Sequence, residues 1–253
     1  MNLYGFLTLF HKEVLRFRKV ALQTLIAPMV TALLYLMVFA HVLEGRVQVY
    51  HGIAYSAFLI PGLIMMSIIQ NAFANSSSSL IQSKVTGNLV FVLLSPLSAL
   101  EFFLAFMLAA TLRGVLVAVG MYLVAVIFIP LPVHHPFILL AFALLSSAVL
   151  GTLGIIAGIW AEKFDHIAGF QNFFIMPMSF LSGVFYSIHS LSPFWRELSH
   201  FNPFFYMIDG FRYGFLGTSD VNPAISLAIV LGAFVALAGL TLYWIKTGYR
   251  LRD

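Results

Sequence analysis

The sequence predicts an all-α membrane protein, six transmembrane helices preceded by an amphipathic helix. Three observations carry this. Apolar residues make up 61% of the 253 residues and charged residues 9%, against roughly 45–50% and about 25% in an ordinary soluble domain. A soluble fold of this length cannot hide so much apolar surface. The charges also divide the chain into neutral runs, several longer than the roughly 20 residues that a helix needs to cross a bilayer.

The elements follow in order. In residues 2–19, Leu3, Phe6, Leu7, Phe10, Val14 and Phe17 recur at helical spacing, while His11, Lys12, Arg16 and Lys19 take the other side. That pattern fits a helix lying in a membrane interface; a positively charged anchor that only fixes topology is the other reading. The stretch lacks the compact apolar run and small-residue cleavage site of a signal peptide. The first span falls at about 21–43 and the second at about 53–77, with Ser76 to Ser79 as its polar end. Residues 114–161 carry no charge but contain "IPLPVHHP", 129–136. Its three prolines cannot continue a helix, so a tight hairpin joins spans at about 102–129 and 137–161. The fifth span is placed at about 166–186 and the sixth at about 224–245.

Six spans put both termini on one side. Lys12, Arg16, Arg18, Lys19, Lys84, Lys163, Lys246, Arg250 and Arg252 then share that side, against Arg46, Arg196 and Arg212 on the other. This bias places both termini in the cytosol. The net charge of +4 needs no nucleic acid to explain it.

The cytosolic loop 84–101, "KVTGNLVFVLLSPLSALE", holds six successive apolar residues, Leu89 to Leu94. An apolar patch in a segment expected to face water marks an interface or a membrane contact. Gly87-Asn88 opens a short helix and Ser95-Pro96 closes it. Such a helix suits a groove on a partner; a helix flat on lipid, or an early start to the third span, is equally open. Within the spans, Asn71 and Asn75 stand four residues apart. They hydrogen-bond neighbouring helices or line a cavity. Arg113 lies inside a third span of about 28 residues, which at roughly 1.5 Å each exceeds the ~30 Å hydrocarbon core. It either snorkels to the cytosolic headgroups or serves as a pathway or dimer-interface cation; left centred it costs at least ~2.5–3.5 kcal/mol.

Three stretches carry a family resemblance: "FLIPGLIMMSIIQNAFANSSSS", "AEKFDHIAGFQNFFIMPMSFLSGVFYSIHSLSPFW" and "NPFFYMIDGFRYGFLG". Through nearly the whole chain the sequence resembles the membrane subunit of an ATP-binding-cassette exporter of the ABC-2 type. The resemblance implies one transmembrane domain over 1–253. It implies that segment 187–217 folds into short re-entrant helices that dip into the outer leaflet and close the pathway, with Trp195, Asn202, Tyr206, Asp209 and Arg212 as gate candidates. The local chemistry is compatible: aromatic residues suit the interfacial belt, Ser192-Pro193 and Asn202-Pro203 suit helix starts, and Asp209 and Arg212 stand at i,i+3. The cytosolic loop becomes a coupling helix, with Asn88, Leu89, Phe91, Leu94 and Pro96 as contacts to an ATPase. Many relatives carry acidic residues there, whereas this chain has "NLVFVLL". Asn71, Asn75 and Arg113 become pathway or dimer-interface candidates.

The implied partners are two ABC ATPase subunits, a second copy of the chain and the lipid bilayer, in a bacterial inner membrane. The sequence has no G-x-x-x-x-G-K-[ST] loop, so ATP and Mg are expected on the ATPase and no cofactor on this chain. There is no cysteine, the eight histidines show no metal-ligand spacing, and Ser182 is not in a G-x-S-x-G context. A secondary transporter or channel acting alone would instead show inverted repeats, broken helices or paired mid-membrane charges. A membrane scaffold is the third class.

Overall fold

The structure, a computed structural model, describes residues 2–43, 49–50 and 52–251. Among these residues the fold is entirely helical, and five helices are long and apolar enough to cross a membrane: Ala21–Phe39, Tyr55–Val85, Ala99–Phe128, Pro136–Trp160 and Pro223–Thr247. Arg46 and Arg252 of the charge argument lie outside the described residues.

Three of the long helices form the core: α3 (Tyr55–Val85), α5 (Ala99–Phe128) and α6 (Pro136–Trp160). Small residues bring them together. A Cβ at Gly151 would lie 2.7 Å from that of Ala110 on α5, and one at Gly158 would lie 2.7 Å from that of Leu80 on α3. A Cβ at Gly154 would collide with the carbonyl oxygen of Phe73. This is the small-residue packing by which helices associate where no water drives them together.

The serine run has a different place from the one expected. It does not end the helix that carries the second span. The helix continues through it to Val85, and Ser76, Ser77 and Ser79 are buried. Serine fits because it is small enough for the close approach of α6, and because its hydroxyl can reach a nearby carbonyl: Ser77 Oγ donates back to Phe73 O at 2.8 Å within its own helix, and Ser76 Oγ donates to Phe106 O on α5 at 3.5 Å. Lys84 closes this end by donating to the last carbonyls of α6, at Ile159 and Ala161, as cations commonly do at helix C-termini.

The amino-terminal helix, α1 (Leu3–Lys19), is capped by Asn2, whose side chain accepts from the Gly5 N–H at 3.1 Å. It runs along the first half of α5. Asn2 meets Glu101 at one end, Lys12 lies over the Phe106 ring, and Arg113 lies over the Phe17 ring at the other end. Leu9 and Phe17 are buried in protein, while Leu3, Tyr4 and Leu7 stay exposed. The apolar face is therefore shared between the bundle and the outside, not laid whole on lipid. The next helix, α2 (Ala21–Leu43), leans on α3 and α5 through Leu25, Met29, Ala32 and Leu36, packs Tyr35 and Phe39 against Phe185, and is largely exposed elsewhere along its described side chains.

After α6 the chain departs from the expected span at 166–186. The helix starts as α7 (Phe164–Phe170), widens to a π-turn at Gln171–Ile175, and resumes as α8 (Met176–Phe180). Pro177 has no N–H to offer the carbonyl of Phe173, and the ladder widens there. The run stops at Phe180, because Gly183 adopts a left-handed φ of 74° and turns the chain. At 1.5 Å per residue the run is roughly 25 Å long, short of a ~30 Å hydrocarbon core.

A 3₁₀ turn (Ile188–Ser190), α9 (Pro193–His200) and α10 (Pro203–Leu216) follow, then α11 (Pro223–Thr247). α10 is buried along most of its length against α6, α3 and α11. Gly210 admits the Phe142 ring, and a Cβ at Gly214 would lie 2.6 Å from that of Leu139. The proline hairpin docks here too: the His135 N–H donates to Gly214 O at 2.9 Å, and its ring stacks on Tyr213 at 4.8 Å.

Candidate functional site

Side chains capable of function gather in three places. The first is the open face of α3. Ser67, Gln70, Asn71, Ala74, Ser78 and Gln82 recur at three- and four-residue steps and are the partly or fully exposed residues between Pro61 and Ser83, a stretch of α3 that is otherwise buried. Five of the six are polar. Asn71 Nδ2 donates to the Ser67 carbonyl at 3.0 Å, and its Oδ1 accepts from Arg113 Nη2 at 3.1 Å. The structure thus joins two candidates that the sequence listed separately. Gln70 Nε2 reaches Met176 Sδ on α8 at 3.3 Å. Asn75 is buried beside the stripe. Its carbonyl accepts from Arg16, and its side-chain amide has no hydrogen-bond partner.

The second place is α4 (Leu89–Leu94), between the residues expected to open and close it. Gly87 takes φ 73° to make the turn. Asn88 is exposed and does not cap the helix; its Nδ2 donates to Thr86 Oγ1 at 3.0 Å. Leu89 is buried in a cluster with Leu80 and Leu251, so it holds the helix down instead of presenting it. Phe91 is 74% exposed and Leu94 77%. Val90 is exposed as well. The exposed Pro96 offers its carbonyl to Asn2 Nδ2 at 3.5 Å, and a Ser98–Glu101 capping box starts α5 immediately after. The result is a short apolar projection with a fixed base.

The third place is the opposite end, around α10. Among its five candidates, only Trp195 is exposed, at 46%. Asn202 caps α10 through Phe204 N–H and donates from Nδ2 to Met178 O at 2.8 Å and to Ser182 Oγ at 2.9 Å. Tyr206 donates to His200 O at 2.9 Å. Asp209 and Arg212 do not form the ion pair that their spacing suggested. Asp209 accepts from the backbone N–H groups of Asp220 at 2.8 Å and Val221 at 3.1 Å. Arg212 donates to Gly183 O at 2.7 Å and stacks 3.8 Å from the Phe58 ring centre. Burial pushes the Asp209 carboxyl up to about 6, against the pull of those N–H donors and of Arg212.

Residues 4–216 match the ABC-2 type transporter family. The chain belongs to that family. The inner membrane transport permease YadH of Escherichia coli strain K12 is 36% identical over 256 residues, covering all of both chains. Nodulation protein J of Rhizobium leguminosarum bv. viciae is 24% identical, covering 89% of this chain and 88% of its own. That of Neorhizobium galegae is 22% identical over 94% and 93%. The ABC-2 chain is thus a membrane transporter permease.

Two residues of this ABC-2 permease escaped the sequence reading. Asp220 accepts from Tyr50 OH at 2.8 Å, Ser187 Oγ at 2.7 Å and Ile188 N–H at 3.0 Å. It ties the loops before α3, before α9 and before α11 together. Burial, the largest cause, raises the Tyr50 phenol above its usual range, as Asp220 also does. Glu13 is fully buried, 3.1 Å from Lys12 and 3.5 Å from Arg16. The available signal was its isolation: it is the lone acid of a basic helix.

Proposed function

We propose that this permease is the pathway-forming subunit of an ATP-driven exporter in the bacterial inner membrane, with both termini in the cytosol. Two copies face each other, and two ABC ATPase subunits sit below them. The helical run 164–180 with its return to α9 acts as a short sixth crossing, and α9–α10 form the re-entrant segment that closes the outer end. The observation that carries this reading is the stripe Ser67–Gln70–Asn71–Ser78–Gln82 on the open face of α3. Left against lipid, such a row is unfavourable, and intramembrane polar groups ordinarily face other helices or water. A twin copy across a polar pathway supplies both. In this arrangement the exposed Phe91 and Leu94 of α4 enter a groove on the ATPase, and the rigid base of α4 passes the stroke to α3 and α5.

The chain has no cysteine, so Ser67→Cys introduces a single thiol. A short bis-maleimide applied to membranes is expected to link Ser67→Cys into dimers, but not Leu231→Cys on the open face of α11. The purified chain alone is expected to hydrolyse no ATP. Absence of a Ser67→Cys dimer, or vanadate-sensitive hydrolysis by the solitary chain, overturns the reading.

A further inference from the structure

Between α1 and the last turns of α3 lies a cavity of about 760 Å³. Lys12, Arg16, Arg18 and Lys19 line it from α1, Ser79 and Ser83 line it from α3, and its lining contains no carboxylate. Glu13 engages Lys12 and Arg16 from behind. Among the described residues, neither Arg18 nor Lys19 has a carboxylate within 4 Å. Ser79 is 1% exposed, and its Oγ has no hydrogen-bond partner. The cavity therefore combines uncompensated cations with a buried hydroxyl left unused. Burial lowers the pKa of Arg16, partly opposed by Glu13, so an anion here offsets a cost that the fold already bears. Exposed Leu3, Tyr4 and Leu7 lie on the same helix, toward its N-terminus, roughly 16 Å or more along the axis from Arg18.

Fixed cations with hydroxyl donors recognise phosphate oxygens through charge-assisted hydrogen bonds, and apolar surface farther along the same helix suits a tail. We propose that this cavity holds the phosphate headgroup of an anionic membrane lipid, with its acyl chains running outward along α1. The proposal does not depend on transport: the same groups bind the same lipid in a resting permease. Clusters of Lys and Arg beside a span recognise anionic lipid at about 1 kcal/mol per cation.

The full chain, delipidated in neutral detergent, is mixed in turn with phosphatidylglycerol, phosphatidylcholine and inorganic phosphate. Native mass spectrometry and thermal unfolding read the result. Phosphatidylglycerol is expected to be retained and to raise Tm, and the other two are not. The double variant Arg18→Gln/Lys19→Gln changes exposed side chains that hold no packing contact described above. It is expected to lose phosphatidylglycerol about thirtyfold, while Lys163→Gln, a charge lost elsewhere, leaves retention unchanged. Undiminished retention in the double variant overturns the proposal. So does equal stabilisation by inorganic phosphate, which assigns the cavity to a free anion. A double variant that keeps the lipid but releases a co-purifying ATPase makes the cavity a protein-docking surface, and the proposal fails.

Discussion

Arg113 on α5 donates to Oδ1 of Asn71 on α3 at 3.1 Å, and its guanidinium lies 5.7 Å from the centre of the Phe17 ring on α1. One cation thereby joins three helices at the edge of the polar stripe. Its Nε has no hydrogen-bond partner. If the Asn71 contact holds the helices together, Asn71→Leu and Arg113→Leu act on one interaction. A double-mutant cycle on thermal unfolding in detergent is expected to give a coupling of about 1 kcal/mol. Effects that add to within about 0.3 kcal/mol would show that the two side chains act independently.

Phe91→Asp tests the projection of α4. Its ring is exposed, so the fold tolerates the change. In a docked groove the new carboxylate is a buried, unpaired charge costing several kcal/mol. Normal membrane insertion is expected, with loss of the co-purifying ATPase. An unchanged ATPase-to-permease ratio removes Phe91 from the coupling surface.

The Asp209 carboxyl supplies a pH dependence. Its folded pKa, raised to about 6, exceeds the unfolded value of about 3.9. The native state therefore binds the proton more tightly, and stability from this group rises as pH falls through 6 and levels off below 4. Between pH 7 and pH 5 the gain is about 1 kcal/mol. Asp209→Asn is expected to destabilise the protein at pH 7, by leaving the N–H groups of Asp220 and Val221 poorly matched, and to abolish that share of the pH dependence. Parallel melting curves for the two proteins from pH 5 to 7 would contradict the assignment.

Gly154→Val places side-chain atoms against the Phe73 carbonyl. The cost is expected to exceed about 3 kcal/mol, the upper end of ordinary overpacking, seen as lost monodisperse protein. Gly232 on α11 is the contrast, because a methyl group there would meet nothing within 4 Å. Gly232→Ala is expected to leave stability within about 0.5 kcal/mol or to improve it. Equal outcomes for the two would remove close packing as the reason for Gly154.

Orientation is open to direct labelling. Ser192→Cys is expected to react with an impermeant maleimide added to intact cells with a permeabilised outer membrane, and Thr86→Cys only after lysis. The reverse pattern inverts the proposed topology.

Much of the architecture is legible because hydrocarbon thickness and proline chemistry leave few options. The charge-free runs make up most of each of the five long helices, with Lys84, Glu101 and Lys246 near helix ends and Arg113 inside α5; the prolines at 130, 132 and 136 mark the hairpin, and Gly87 and Pro96 bracket α4. The site is less legible, since spacing reports neighbours on one helix and not what another segment brings. Asp209 and Arg212 stand one turn apart, yet each is claimed by backbone from elsewhere. Ser76 to Ser79 read as a polar terminus because the burial of Ser76 and Ser77 comes from glycines far along the chain, in the approaches Ser76–Gly154 and Ser77–Gly158. Leu89 and Phe91 are alike in type, and only the cluster with Leu80 and Leu251 tells the anchor from the exposed ring.

Backbone-level contact at Gly154 leaves α3 and α6 no layer of side chains on which to slip. With α5 and α10 they make a solid piece, while α2 touches the rest along one edge. In mechanical terms the subunit is a lever with a loose plank, not a spring. On the proposed function, a displacement applied at α4 would reach the far end as rotation of the whole block, with relative motion left to the seams at α2 and at the π-turn.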